Sequence, residues 1–247
     1  MSSEPPYTQS FVWIWLPGET KPVVAGKLSL DGRDLLFNYG KSYLERENAI
    51  AIYDAELPLR AGVQALTAGL SMPNCIRDAA PDAWGRRVLI NRLLGLKGVK
   101  ADNTTQLDEL TYLLESGSDR IGALDFQHSA SEYIPRSPVN ASLEELQDAA
   151  ALVEKGIPLT PELDQALHHG SSIGGARPKA LIEDGKQKYI AKFSSSTDLY
   201  SVVKAEFIAM RLAALVGLDV APVAMTQAAN KDVLLIERFD RIHAPGG

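Results

Sequence analysis

The 247-residue sequence is poor in cysteine and histidine, and each scarcity excludes something. One thiol, Cys75, permits no internal disulfide and no thiolate metal cluster, which fits a reducing compartment. The four histidines, at 128, 168, 169 and 243, lack metal-ligand spacing, so no zinc site is expected. No apolar run approaches the roughly 20 residues of a membrane helix. The start, MSSEPPYTQS, has neither the basic flank nor the apolar core of a signal peptide. The expected location is therefore cytoplasmic. Positive charge is also in deficit, with 25 basic against 31 acidic side chains and a net charge of -6. That balance opposes nonspecific attraction to nucleic acid or anionic membrane and favours a basic protein partner.

What is present is a chain with 45% hydrophobic residues, enough for one large domain or two small ones. There is no internal repeat and no low-complexity tract. The first sixty residues read as strands: FVWIWL (11–16), KLSL (27–30) and LLFNY (35–39), with Asp31-Gly32 as a hairpin signal. A small antiparallel sheet packed on later helices follows. From Pro81 the pattern turns helical in PDAWGRRVLINRLL, with Trp84, Val88 and Asn91 on one face. TQLDELTYLLE (105–115) repeats the pattern after a threonine cap. SDRIGALDF (118–126) reads as a turn and a short strand closing a first unit, 1–130. Small, polar and proline residues at 127–141 read as a linker.

The second unit, 131–247, opens with a capping box at Ser142 and Glu145 for a helix to about Lys155, and Thr160-Pro161-Glu162 starts another ending near Gly170. Then comes HHGSSIGGARPKALIEDGKQKYIAKF (168–193). Glycines let backbone N–H groups approach phosphate oxygens, and serine hydroxyls add donors. The stretch is neither a Walker A loop nor a dinucleotide GxGxxG, and an ordinary glycine turn would read the same way. ALIED (180–184) and KYIAKF (188–193) flank Gly185 as a hairpin, placing Lys192 on the same face as Ile190. A lysine on an apolar strand face wants an anion. In the helix pattern SVVKAEFIAMRLAALVG (201–217), Glu206 projects from the apolar side. It is the natural partner of Lys192, although a rim lysine and a backbone-bonded glutamate remain open. DVLLIERFD (232–240) gives a buried strand and a polar connector. Loop, strand lysine, helix glutamate, strand and connector follow the ground plan of a protein-kinase small lobe.

The segments SSIGGARPKA, YIAKF, AEFIAMRLAALVGL and LLIERFDR resemble the HipA family of bacterial toxin serine/threonine kinases. AGKLSLDGRDLLFNYGKSYL, PDAWGRR and SDRIGAL upstream extend the resemblance over nearly the whole chain. It implies an α+β fold: a small antiparallel β unit with helices, then a HipA-like kinase small lobe. It implies ATP and Mg as cofactors, with Ser172, Gly174 and Gly175 in the loop and Lys192 on the phosphates. Glu206 would be the lysine's helix partner, and Glu237, Phe239 and Asp240 the connector that holds adenine and ribose. Ser172 would be autophosphorylated, which expels the loop and silences the kinase. The implied partners are a HipB-like DNA-binding antitoxin, giving only indirect contact with DNA, and a protein substrate of the aminoacyl-tRNA synthetase class.

Phosphoryl transfer also requires a base for the substrate hydroxyl and carboxylate or amide ligands for Mg²⁺. The resemblance implies that these come from a large helical lobe after ERFDR. Only Ile242 to Gly247 follow Arg241. The expectation is that the 247-residue chain holds no catalytic residue, binds ATP weakly or not at all, and transfers no phosphate by itself. Two alternatives stand beside that reading: a naturally short, inactive module that docks an antitoxin or a separate lobe, and an unrelated nucleotide-binding or structural domain.

Overall fold

A computed structural model of the chain describes residues 6–95, 107–136, 141–185 and 187–241. The chain divides into two compact units, one formed by Met1–Pro81 with Leu107–Arg136, the other by Asp82–Gln106 with Ser137–Gly247.

The first unit is a four-stranded antiparallel sheet in the order β3-β2-β1-β4. Its strands are β1 (Gln9–Ile14), β2 (Val23–Asp31), β3 (Asp34–Tyr39) and β4 (Leu124–Gln127). The hairpin signal at Asp31-Gly32 does what its chemistry requires: Asp31 pairs with Asp34, and Gly32 takes φ +63° in the tight turn. Alternation in β3 puts Leu35, Phe37 and Tyr39 inside. They join Val12, Ile14 and Leu28 from the other strands. Short helices α1 (Lys41–Leu44) and α2 (Asn74–Arg77) deliver Tyr43 and Ile76 to this core.

Two sequence expectations need correction here. The helix after the threonine pair is capped by Asp108, whose carboxylate accepts from Thr111 N at 2.9 Å, because the periodic stretch begins only at Glu109. The stretch read as linker is not all linker. Tyr133 and Arg136 belong to the first unit, held there by a buried carboxylate, Asp125. Asp125 also accepts from Arg120 Nε at 3.1 Å and Gln127 Nε2 at 2.9 Å, and both Asp125 and Arg120 are fully buried. The middle of the expected linker, 137–140, lies outside the described residues.

The unit boundary also differs from a single cut near residue 130. Helix α3 (Ala83–Leu94) packs in the second unit because Trp84 and Val88 share a core with Leu146, Ala149, Leu167, Ala180 and Phe193. Helix α4 (Glu109–Glu115) returns to the first. In the second unit α5 (Leu143–Glu154) starts at the expected capping box, with Ser142 and Glu145 bonded reciprocally, and α6 (Pro161–His168) follows. A short 3-10 turn, His169–Ser172, leads into β5 (Lys179–Asp184) and β6 (Gln187–Phe193). Helix α7 (Val202–Leu215) ends at Gly217, φ +85°, and β7 (Val223–Ala228) and β8 (Lys231–Glu237) complete an antiparallel sheet in the order β5-β6-β8-β7. Strand β7 carried no pattern strong enough to be read. It is an edge strand whose burial does not alternate: only Ala228 is buried, while Ala224 and Gln227 are exposed.

The two faces of this second sheet are different surfaces. Ala180, Ala191, Phe193 and Val233 face the core made with α3, α5 and α6. The opposite face carries Lys179, Leu181, Ile190, Lys192, Leu234 and Ile236, set by the register Lys179↔Lys192↔Leu234. Helix α7 lies on that second face.

Candidate functional site

The site grows from one strand pairing. With Asp184 opposite Gln187 across the Gly185 turn, antiparallel register puts Lys179 directly opposite Lys192. Two ammonium groups in a cross-strand pair repel one another and require counter-charge. Lys192 finds it on α7, where Nζ lies 2.5 Å from Glu206 Oε1. Both side chains are partly exposed, 24% and 30%, so the pair adds at most about 1 kcal/mol to stability. Its consequence is positional: a rigid helix and a central strand hold one cation in place.

Lys179 is only 3% exposed. Its Nζ donates to Gly174 O at 2.7 Å, and burial, then the Lys192 charge, pull its pKa down to about 8 against the attraction of Asp82 and Glu206. The glycine loop is therefore folded onto its own strand. From the other side, Asp82 Oδ2 accepts from Gly175 N at 2.6 Å, while Trp84 N donates to Gly175 O at 3.1 Å and the Trp84 indole donates to Lys179 O at 2.9 Å. Gly175 is required by its backbone, and Gly174 keeps clear of the Asp82 carboxylate. A Cβ on Gly174 would stand 2.9 Å from Asp82 Oδ2, and one on Gly175, at φ +102°, would stand 2.7 Å from Lys179 Nζ. Arg177, next in the loop, reaches Asp198 at 2.5 Å, tying the loop to the segment after β6.

The other sequence-derived residues lie as follows. Ser172 ends the 3-10 turn and is 4% exposed, with Ser171 and Ile173 buried beside it. Gly170 explains the tight seat, since a Cβ there would meet Ala180 Cα at 2.9 Å. Glu237 closes β8, its N–H bonded to Pro222 O. Phe239 is 85% exposed. Asp240 is committed elsewhere: Arg238, whose side chain is buried, grips it through Nε at 2.9 Å and NH2 at 2.8 Å, and Arg241 adds a bond at 3.0 Å. Burial pulls the Asp240 pKa up, but the bond and charge of Arg238 and the charge of Arg241 outweigh it and leave it below the ordinary carboxylate value. The structure thus brings Lys192 and Glu206 together and puts Gly174 and Gly175 over Lys179, while the Asp240 carboxylate serves two arginines.

Asp82 and Lys179 were missed in the sequence. The signal for Lys179 was available, because the hairpin turn that identifies the strands also fixes which residue opposes Lys192. Asp82 had none, since it reaches the loop across 93 positions of chain. Helix α7, read as having an inward apolar face, buries only Val203. Ile208, Leu212 and Leu215 are exposed. An open cleft of about 730 Å³ between α7 and β7, lined by Phe207, Ile208, Met225 and the Lys204–Asp232 ion pair, includes neither Lys192 nor Glu206. Among the described residues no three His, Cys, Asp or Glu side chains gather as metal ligands, and no helix is long and apolar enough to cross a membrane.

A four-stranded antiparallel sheet whose strand lysine meets a helix glutamate, with a glycine loop folded over the neighbouring strand, follows the ground plan of a protein-kinase small lobe. Comparison with known proteins gives the family. The HipA N-terminal domain model matches residues 15–127 and the HipA-like C-terminal domain model matches 171–245, so the larger part of the chain is covered and the chain belongs to the HipA family. It is 27% identical over 253 aligned residues to a Sinorhizobium fredii protein named "Putative kinase Y4mE", covering 95% of this chain and 55% of that one. It is 37% identical over 83 residues to the serine/threonine-protein kinase toxin HipA of Shewanella oneidensis, covering 30% of this chain and 19% of the toxin. The structure of Shewanella oneidensis HipA with HipB and operator DNA shares the fold, with a TM-score of 0.53 and 21% identity over 96% of this chain and 52% of that one. The chain spans about half the length of the relatives that it matches end to end.

Proposed function

We infer that these residues form the ATP-holding part of a HipA-type toxin, a serine/threonine protein kinase of a type II toxin–antitoxin system in its complete form. The observation that carries the reading is the Lys192–Glu206 pair at 2.5 Å, set on a central strand and a helix beside the glycine loop. Lys192 holds nucleotide phosphate, Glu206 fixes the lysine, and backbone N–H groups of Gly174 and Gly175 face the phosphates. The backbone after Glu237 and the exposed ring of Phe239 receive the base. Asp240 reaches ribose only by releasing Arg238 or Arg241. Ser172 is the regulatory acceptor, and its burial means that phosphate reaches it only after the 169–178 segment leaves its seat. A dianion there would then keep the segment out by charge and size. The base and the Mg²⁺ ligands belong to a further lobe of the complete kinase. The first unit supplies contacts to a HipB-like antitoxin, a reading supported by the company that the Shewanella relative keeps.

The test is phosphate-dependent binding. The chain should bind ADP more tightly than adenosine by calorimetry, and Lys192→Met should abolish the difference. An undiminished ADP preference in Lys192→Met would overturn the assignment.

A further inference from the structure

An aspartate at a helix start ordinarily turns its carboxylate onto the first N–H groups of its own helix. Asp82 precedes α3 and makes no such bond. Its Oδ2 instead takes the Gly175 N–H at 2.6 Å, in an exposed loop, with the Lys179 ammonium close enough to be drawn toward it. The close approach leaves little room at two glycines: a Cβ on Gly174 would stand 2.9 Å from the Asp82 oxygen, and Gly175 sits at φ +102° with Lys179 Nζ 2.7 Å from where its Cβ would be. Across the hairpin, Lys192 already has Glu206 as its counter-ion. Of the two carboxylates whose charge draws on Lys179, Asp82 acts ahead of Glu206, and unlike Glu206 it stands outside the sheet and its covering helix. A loop N–H held by a carboxylate, on a loop whose neighbouring carbonyl takes a buried ammonium, makes a corner suited to an anion and occupied by the protein's own side chain.

We propose that Asp82 occupies the phosphate position of the glycine loop, so that a nucleoside polyphosphate enters by displacing it, and that Lys179 is the second cation that receives the phosphate. The proposal rests on the nucleotide reading above and goes beyond it by naming the internal competitor and the cation it covers. Asp82 then sets nucleotide affinity: its charge opposes the incoming phosphate, and its bond to Gly175 keeps the loop down until phosphate takes the N–H. Adenosine, having no phosphate, is indifferent to both residues.

The experiment titrates metal-free ADP and adenosine into the full chain labelled with ¹⁵N-glycine, following the Gly174 and Gly175 amides. Variants Asp82→Ala, Asp82→Asn, Lys179→Met and Lys192→Met are compared, with the remaining glycine resonances reporting that each is folded. Asp82→Ala should shift the Gly175 amide before any ligand is added and bind ADP about three- to tenfold more tightly, with Asp82→Asn between it and the parent. Lys179→Met should weaken ADP by a similar factor, and adenosine should bind all proteins alike. ADP binding that falls in Lys192→Met but is unchanged or weaker in Asp82→Ala would overturn this proposal and leave the nucleotide reading standing. Glycine amides unmoved by ADP and adenosine in both the parent and Asp82→Ala would overturn both.

Discussion

Replacing Asp125 by asparagine should destabilise the first unit by about 3–5 kcal/mol, the loss typical of breaking a buried ion pair by removing one partner. The carboxylate is fully buried and accepts four bonds: Arg120 Nε at 3.1 Å, Arg136 NH2 at 2.7 Å, Gln127 Nε2 at 2.9 Å and Tyr133 OH at 3.0 Å. Asparagine keeps the shape but removes the charge and turns an amide toward donors. Arg120 would keep its bonds to the carbonyls of Ala79 and Leu113 and lose its ionic one, with no path to solvent. Tyr133→Phe, which removes one neutral donor, should cost only about 1 kcal/mol. The assay is urea unfolding read by hydrogen exchange of peptides from 9–39 and 107–136, which isolates this unit. The midpoint of thermal unfolding should fall by roughly 10 °C or more for Asp125→Asn. Adding Arg120→Met should lose less than the two single changes summed, because removing the stranded cation relieves part of the penalty. A loss below about 1 kcal/mol for Asp125→Asn, or strict additivity in the double variant, would refute the view that charge compensation holds this network together.

Three further outcomes are expected. Gly170→Ala should cost about 1–3 kcal/mol by urea unfolding because its Cβ meets backbone at Ala180, whereas Gly174→Ala, which meets only the end of the Asp82 side chain, should cost much less; equal losses would contradict the contact geometry. Cys75, whose thiol pKa is raised to about 12 by burial and then by Glu56, should react with iodoacetamide roughly a hundredfold or more slowly than a free thiol at pH 8, with a rate still climbing beyond pH 10; a plateau near pH 9 would show an ordinary thiol. Lys179, with its folded pKa lowered to about 8 from 10.5, binds fewer protons folded than unfolded between those values, so its burial penalty is relieved as pH rises. The stability of the parent relative to Lys179→Met should therefore increase from pH 8 to 10.5, a comparison in which the raised Tyr7, Tyr39 and Cys75 cancel; a flat difference would mean that Lys179 is not desolvated.

The sequence by itself determined the elements that local chemistry specifies. Asp31-Gly32 made one hairpin and Gly185 the other, Ser142 with Glu145 started α5, and Gly217 followed the end of α7. Period-two alternation put Lys192 on the face away from the core, and helical spacing turned Glu206 toward it, so their contact was legible because each position follows from a period of a few residues. Tertiary structure decided what depends on distant chain. Trp84 carried α3 into the second unit, since its indole bonds Lys179 O and its ring completes a core drawn from residues sixty and more positions away. Tyr133 and Arg136 looked like linker until Asp125 supplied a buried charge for them. Asp82 against Gly175 is the extreme case. No local pattern marks an aspartate that forgoes its own helix cap, because that choice is made by the loop it meets and the lysine behind it.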